Sequence, residues 1–387
     1  MNQLSIILSC LVAATALFGA SKPVTFEKVY GSKEDDSAKS VLALSDGFLI
    51  VGETKMDRNR RTDMYIIRID KNGKKLWSKA IGGKDDDFAA AAIATKEGFI
   101  AVGTTESFGS DRSSVYAVSL DKSGNAKWQH AYFSSDESYY YGSGIVPTAK
   151  GYRVAGWEDK PEFFDAEVNG YVVDIDADGE RTRLRRYGGK DDDKIYDILK
   201  TDDGYLLVGE SESLRDDEGF DAYVVKVDEK GNVLWQKGYG WGYDEKANAV
   251  TEAKNGYIFV GLTESNRDKR EEAYVVKIDK SGKVIWQNTY GGRYDEEAYD
   301  IVADDDGYVI VGKTETDTHG RDDVYMFKID EKGKMLWQKN YGGRDSDVAY
   351  SVAKTEDGYL VAGETESYGN GRKDVYLLKT DKNGNIK

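Results

Sequence analysis

The sequence predicts an all-β protein that folds as one seven-bladed β-propeller. Three observations support this prediction: a seven-fold internal repeat, four strand-like segments in each repeat, and one strand displaced to the opposite end of the chain. A single four-stranded sheet cannot bury both of its faces, but radial stacking of seven such sheets does so.

The repeat is clearest at a glycine followed by Tyr or Phe, which opens an apolar, strand-like run. Successive copies lie 51 to 53 residues apart, and the glycines are Gly47, Gly98, Gly151, Gly204, Gly256, Gly307 and Gly358. In the fourth copy the run "YLLVGES" is followed by "DAYVVKVD", by "VLWQKGYG" and, after an acidic loop, by "KANAVTEAK". Alternating strands joined by tight turns are typical of antiparallel sheets.

The two chain ends predict how the ring closes. A Trp position recurs in the last strand of the repeats, occupied by Trp77, Trp128, Leu184, Trp235, Trp286 and Trp337, and the seventh would fall beyond Lys387. The missing strand is found at the N-terminus, where "VTFEKVYG" (24–31) aligns with "LWQKNYGG" and places Phe26 at the Trp position. We therefore expect the N-terminal strand to complete the last blade and remove an open sheet edge.

The pattern "YGGxDDxAxxI…DGYxxVGxTxS…DxYVxKxDxxGxxxW" resembles the seven-bladed β-propeller repeat family of exported bacterial proteins, over essentially all of the chain beyond residue 20. The resemblance implies the fold, but that family brings no agreed activity or catalytic residues. The segment "DKNGKKLW" (70–77) is also similar to the tryptophan-docking motif of pyrroloquinoline-quinone propellers. No cofactor cradle accompanies it, so we interpret the shared Gly and Trp as a turn and a packed ring.

The first 20 residues have the pattern of an export signal. Residues 4–18 are largely apolar and "FGA" (18–20) offers a small residue before a cut after Ala20, although no Lys or Arg precedes the run. The run is short for a membrane span, and a retained anchor is the alternative. We expect residues 1–20 to be a signal peptide and residues 21–387 to be a single domain, located in the periplasm or outside the cell at its surface, without membrane insertion.

Composition limits the possible functions. A formal net charge of -16 disfavours nucleic acid and favours cations or basic partners. Cys10 lies within the signal segment, so the mature chain has no thiol, and its two histidines, His130 and His319, occupy non-equivalent positions. No catalytic motif stands out, and we expect a monomer without a cofactor.

Loop lengths distinguish a constant face from a variable one. The loops between blades, and those between the second and third strands of a blade, carry all the insertions, and the third repeat departs most. There "SSDESYYYGSG" replaces the acidic loop, which predicts a binding patch on the variable face. The candidate partner-binding residues are Tyr139, Tyr140, Tyr141, Trp157, Phe163, Phe164 and Trp241. The alternative is that these rings pack beneath a longer loop.

Two acidic columns recur in the loops between blades. Six positions after the aromatic or apolar residue that precedes the Gly pair, the residue is always Asp or Glu in the regular repeats. Five positions after it, the residue is Asp in five of these six repeats, Ser346 being the exception. The favoured interpretation is structural, with each carboxylate accepting backbone N–H bonds in its loop. The alternative is a Ca²⁺ site, for which the candidate ligands are Asp87, Asp193, Glu245 and Glu296.

Together these features predict an exported, non-catalytic β-propeller that binds a protein or glycan partner through its variable face. The alternative is a polysaccharide-acting enzyme, a hydrolase or lyase, that uses carboxylates and tyrosines on the same face.

Overall fold

The computed structural model describes residues 22–55, 61–108, 112–133, 138–160, 167–214, 219–265, 270–318 and 320–386. All regular secondary structure in these ranges is β-strand, so the predicted all-β class is confirmed. In the part of the chain that is described, there is accordingly no helix with the length and hydropathy needed to span a bilayer.

The strands are short and evenly spaced, as period-2 alternation between tight turns requires. In chain order they are β1 (Phe26–Tyr30), β2 (Asp36–Leu44), β3 (Gly47–Lys55), β4 (Thr62–Asp70), β5 (Lys75–Ile81), β6 (Asp87–Ala94), β7 (Gly98–Thr105), β8 (Ser114–Asp121), β9 (Ala126–Tyr132), β10 (Tyr139–Pro147), β11 (Gly151–Lys160), β12 (Glu167–Asp176), β13 (Arg181–Tyr187), β14 (Asp193–Thr201), β15 (Gly204–Ser211), β16 (Asp221–Asp228), β17 (Val233–Tyr239), β18 (Glu245–Ala253), β19 (Gly256–Thr263), β20 (Glu272–Asp279), β21 (Val284–Tyr290), β22 (Glu296–Asp304), β23 (Gly307–Thr314), β24 (Asp323–Asp330), β25 (Met335–Tyr341), β26 (Asp347–Thr355), β27 (Gly358–Thr365) and β28 (Asp374–Asp381).

These strands form seven antiparallel sheets of four strands each. Blades 1 to 6 take four consecutive strands, starting at β2, and the first strand of each blade contacts the first strands of its neighbours around a central channel. Blade 7 has the order β1-β28-β27-β26, in which Phe26 pairs with Lys379 and Tyr30 with Val375. The predicted closure of the ring by the N-terminal strand is therefore confirmed.

The core lies between neighbouring blades. Within the described residues, apolar side chains form seven clusters; in one of them Leu49 and Ile66 of blade 1 pack against Tyr116 and Val118 of blade 2. Phe26 is 8% exposed and joins the cluster between blades 7 and 1. Its ring lies against Gly73 of blade 1, as Trp77 lies against Gly124 of blade 2. The repeated Gly and Trp are thus packing features, and the turn glycines have positive φ angles that suit glycine.

The tyrosine before the Gly pair forms a second link between blades. The Tyr187 hydroxyl donates to the carbonyl oxygen of Gly231 in the next blade at 3.0 Å, and Tyr239 donates to Gly282 at 2.7 Å. Each hydroxyl therefore joins an outer strand to the turn of the following blade, which explains why the outer strand ends in Tyr in six of the seven repeats, Ile81 being the exception.

Each blade has a β-bulge in its inner strand, three residues after the strand begins, or four in blade 3. The bulge residues are Lys39, Ala90, Ser143, Tyr196, Asn248, Tyr299 and Tyr350. A bulge re-aims a side chain locally. Here all seven residues line one cavity at the channel entrance, on the face of the loops between blades.

Phe26→Ala should lower the free energy of unfolding by about 3 to 5 kcal/mol, because it removes a buried ring from the seam that closes the propeller. Urea unfolding followed by far-UV circular dichroism measures the change. Leu76→Ala is the control, since Leu76 is a 52% exposed side chain on the outer strand of blade 1. Equal effects of the two substitutions would show that the N-terminal strand does not contribute to ring closure.

Candidate functional site

The acidic loop between blades 3 and 4 shows what the repeated carboxylates do. Asp193 is fully buried, and its Oδ2 accepts hydrogen bonds from the Gly189 N–H and the Ser213 hydroxyl, both at 2.7 Å. A Cβ on Gly188, which has a φ of +143°, would lie 2.2 Å from the same oxygen. The carboxylate therefore fastens the loop to the blade, and the Gly pair lets the backbone approach it. We call this arrangement the joint carboxylate.

The same joint occurs in the other regular repeats. Asp87 accepts from the Gly83 N–H and the Ser107 hydroxyl, and Glu296 accepts from the Gly292 N–H and the Thr314 hydroxyl. Glu245, a glutamate like Glu296, accepts from the Trp241 N–H and the Thr263 hydroxyl. The candidate metal ligands Asp87, Asp193, Glu245 and Glu296 thus lie in four separate joints. Among the described residues no cluster of three or more Asp, Glu, His or Cys side chains could hold a metal ion.

The neighbouring acidic column fastens a different loop. Asp86 accepts the Thr62 N–H at 2.7 Å and Asp244 accepts the Phe220 N–H at 3.0 Å. In both cases the donor ends the loop between the second and third strands of the preceding blade. Both acidic columns therefore act on loop backbone, as the structural interpretation requires.

Blade 3 builds its joint differently. Tyr140 stands where the other blades have Asp or Glu, and Glu158, which pairs with it, stands where they have Ser or Thr. Glu158 is fully buried, and it accepts from the Arg186 guanidinium, with Nη2 to Oε2 at 2.9 Å. Tyr140 is 1% exposed and stacks on Phe133 with ring centroids 4.4 Å apart. Tyr140 therefore belongs to the core and not to an exposed patch.

Next to this joint, Tyr141 and Trp157 pair across the first two strands of blade 3 and stack at 5.1 Å. Tyr196 of blade 4 meets Trp157 edge-on at 5.6 Å. These three rings border a cavity of about 600 Å³ at the channel entrance, together with Phe88, Tyr299 and Tyr350. We call it the mouth cavity; its volume is within the usual range for ligand pockets.

Three tyrosines of the mouth cavity come from bulge positions and each lies beside a glutamate of its own blade. Tyr299 donates its hydroxyl to Glu297 Oε2 at 2.8 Å, and the phenols of Tyr196 and Tyr350 face Glu210 and Glu364 on the second strands of their blades. Burial, with the adjacent carboxylate, raises the pKa of all three phenols well above the usual value. The three phenols therefore stay protonated, and the Tyr299 hydroxyl donates to Glu297.

Tyr139 and Trp241, two further sequence-predicted residues, are not among those that line the mouth cavity. Tyr139 is half-buried and the Arg112 guanidinium lies 5.1 Å from its ring centroid. Trp241 is 49% exposed and contacts Tyr274 in blade 5. Phe163 and Phe164 lie outside the described residues. The structure therefore brings together Tyr141 and Trp157 from the predicted set, and adds Phe88, Tyr196, Tyr299 and Tyr350.

Two aspartates lie deeper in the channel, one position beyond the bulge. Asp197 accepts the N–H groups of Ile198 and Val250, and Asp300 accepts those of Ile301 and Val352 and the Ser351 hydroxyl. Each carboxylate thus spans from its own inner strand to that of the next blade. Burial raises the pKa of Asp197 to about 6, and burial with the charge of Asp197 raises the pKa of Asp300 to about 7.

The fold and the repeated joints define the class: the chain is a seven-bladed β-propeller repeat protein. Residues 221–381, from the third strand of blade 4 to the third strand of blade 7, match the family described as "Outer membrane protein assembly factor BamB". The match covers less than half of the chain. An uncharacterized protein of Aquifex aeolicus (strain VF5) is 29% identical over 185 residues, which are 48% of this chain and 49% of the relative. The chain thus spans about half the length of that curated relative.

Solved structures agree on the fold. The WD40 β-propeller domain of Doa1 covers 92% of this chain and 98% of its own, with 12% identity and a TM-score of 0.54. An acylaminoacyl peptidase of Pyrococcus horikoshii covers 88% of this chain and 50% of its own, with 11% identity and a TM-score of 0.51. At these identities the likeness shows the fold alone.

Asp300→Asn should change how stability depends on pH. Because the folded-state pKa of Asp300 is raised, the stability linked to its protonated form is complete below about pH 4 and is lost as the pH rises through about 7. The free energy of unfolding of the variant minus that of wild type should therefore increase between pH 4 and pH 8, by about 1.4 kcal/mol for each unit by which the pKa of Asp300 is raised. Urea unfolding at both pH values measures this; Asp202→Asn, at an exposed position, is the control. A constant difference would contradict the burial of this carboxylate.

Ca²⁺ should leave the melting temperature unchanged relative to chelator, because the joint carboxylates already bond loop N–H and hydroxyl groups. A site filled at 100 times its dissociation constant would add about 2.7 kcal/mol of stability. Differential scanning calorimetry with millimolar Ca²⁺ or EDTA decides between the two interpretations. A clear rise in melting temperature that Asp193→Asn abolishes would establish a metal site in the joint.

Proposed function

We propose that this protein is a non-catalytic scaffold of the cell envelope that binds a protein partner at the mouth cavity. The observation that carries this proposal is the cavity itself, which gathers aromatic side chains from five blades at the entrance of the channel. Half-buried Trp and Tyr side chains are typical anchors of protein interfaces. The loops around the cavity are those whose lengths vary, and a rigid ring of blades holds them in place.

Two further observations support a location in the envelope and a protein partner. Residues 221–381 match a family described as an outer membrane protein assembly factor, and assembly factors act on other proteins. The N-terminal 20 residues have the composition of an export signal. On this proposal the chain is exported and works in the periplasm, and the mature protein is anchored by its partner and not by a membrane segment.

The geometry does not favour the alternative of a polysaccharide-acting enzyme. A tyrosine that abstracts a proton must be deprotonated at the working pH, and burial raises the pKa of the phenols of Tyr196, Tyr299 and Tyr350. A hydrolase needs a protonated carboxyl as general acid beside the substrate. The two aspartates with a raised pKa, Asp197 and Asp300, accept backbone N–H groups and are not among the residues that line the mouth cavity. Despite the opposing effect of burial, Arg186 and Tyr140 lower the pKa of Glu158. Burial also opposes the ionised form of Glu364, but Lys39 and Lys373 lower the pKa of this carboxyl.

Photo-crosslinking from the mouth cavity should identify the partner. Replacing Tyr141 with p-benzoylphenylalanine places a crosslinker beside Trp157, and we expect discrete crosslinked envelope proteins after illumination in cells. Adding Trp157→Ala to the same chain should remove these products, since it deletes the ring that stacks on position 141.

The matched control carries the same crosslinker in place of Tyr294, a 57% exposed side chain on the same face. Products that form equally from positions 141 and 294, or that survive Trp157→Ala, would place the interface outside the mouth cavity. Binding of an oligosaccharide that depends on Trp157, without any protein product, would favour the glycan partner.

A further inference from the structure

Hydrogen-bond donors of the mouth cavity are largely used within the protein. The hydroxyl of Tyr299 donates to Glu297 at 2.8 Å, so its oxygen can only accept a further hydrogen bond. Tyr196 and Tyr350 occupy the same bulge position, and their phenols face Glu210 and Glu364. The amide nitrogen of Asn248 donates to Glu297 and to the Ala298 carbonyl, at 3.0 and 2.9 Å, which leaves its oxygen as an acceptor.

Ser143 follows the same rule, because its hydroxyl donates to the Ile195 carbonyl at 2.9 Å. The bulge residues thus use their donors to tie one blade to the next or to a glutamate of their own blade. What they offer to a ligand is acceptor oxygens and aromatic rings. A matching ligand is therefore rich in donors and tolerates contact with aromatic faces.

The cavity already contains an example of such a contact. The Lys39 ammonium lies 3.9 Å from the centroid of the Tyr350 ring. Glu53 and Glu364 flank it, each at 3.7 Å. A cation placed over an aromatic ring and beside carboxylates is thus a stable arrangement in this site.

The charge around the entrance of the mouth cavity is predominantly negative, which also favours a cationic ligand. With the buried joint carboxylates left out, five of the seven segments that join blades contain more acidic than basic residues, for example "GGKDD" (82–86 and 188–192), and the other two contain equal numbers. Glu53 and Glu106 add carboxylates to the cavity wall. A negative rim attracts and orients a cationic ligand, and this attraction weakens as salt is added.

We propose that the mouth cavity binds an arginine side chain presented by an extended segment of the partner protein. The guanidinium has five N–H donors and a flat face, so it satisfies acceptor oxygens and stacks on Tyr or Trp at the same time. This inference rests on the proposed function, since it names the group that the partner inserts. Trp157 and Tyr141 contact the arginine from blade 3, and Tyr299 and Tyr350 contact it from the opposite side of the ring.

The test uses short peptides of the form acetyl-Gly-Ser-X-Ser-Gly-amide, in which X is arginine or citrulline. Citrulline has nearly the same shape as arginine but carries no charge. Isothermal titration calorimetry with the full mature chain should show binding of the arginine peptide, and the citrulline peptide should bind at least about tenfold more weakly. Raising NaCl from 50 to 500 mM, about a threefold change in screening length, should weaken binding of the arginine peptide alone.

Variants locate the site. Trp157→Leu should weaken the arginine peptide about tenfold or more, whereas Tyr294→Ala, an exposed ring on the same face, should bind like wild type. Unchanged melting temperatures show that both variants fold. If Trp157→Leu unfolds, Tyr299→Leu replaces it in the test.

Equal binding of the arginine and citrulline peptides, or no binding of either, overturns the proposal. Binding of a neutral oligosaccharide that Trp157→Leu abolishes also overturns it. None of these results affects the proposed function if crosslinks from position 141 still reach a protein. Conversely, arginine binding without any protein crosslink would contradict the scaffold while leaving the cation site in place.

Discussion

The structure depends on one repeated interaction, the joint carboxylate at the start of each inner strand. Removing an Asp or Glu side chain from water is costly, and the cost is offset only where the carboxylate accepts several hydrogen bonds. In the regular joints it accepts a loop N–H and a Ser or Thr hydroxyl, as Asp347 does from Gly343 and Ser367. Since every inner strand begins at this point, the joint sets where the bulge lies and hence which side chains reach the channel entrance.

Blade 3 keeps the buried carboxylate but moves it to the facing strand. Glu158 replaces the usual hydroxyl residue, Tyr140 replaces the usual acid, and Arg186 provides the positive charge that a buried glutamate requires. The exchange inserts the Phe133–Tyr140 stack into the blade and leaves Tyr141 and Trp157 stacked above it. The irregular joint and the aromatic wall of the mouth cavity are therefore two consequences of one change.

The fold could be predicted from the sequence because its signals are repeated. Seven glycine–aromatic pairs and the Trp column indicated seven blades, and Phe26 at the Trp position indicated the closing strand. The site could be predicted only in part. Tyr141 and Trp157 departed from the repeat and were found, but Tyr140 had the same composition signal and is buried, since its side chain alternates to the opposite face.

Other members of the site carried no usable signal. Tyr196, Tyr299 and Tyr350 reach the cavity through bulges, and an extra residue in a strand cannot be located from alternation alone. The buried lysines of the third strands were likewise missed. The segments "VVKVD" and "MFKID" contain Lys226 and Lys328, and lysine is typical of a protein surface. Both side chains are nevertheless buried. They form ion pairs at 2.6 Å with Asp203 and Asp304, respectively.

A double-mutant cycle between Tyr140 and Glu158 tests the central claim that each joint holds one buried carboxylate. Tyr140→Asp alone should lower the free energy of unfolding by about 3 kcal/mol or more, because it places a second carboxylate beside Glu158. Adding Glu158→Thr restores the pairing of the regular blades, so the double variant should be more stable than the two single changes predict, by at least about 1 kcal/mol. Effects that add within about 0.5 kcal/mol would contradict the account.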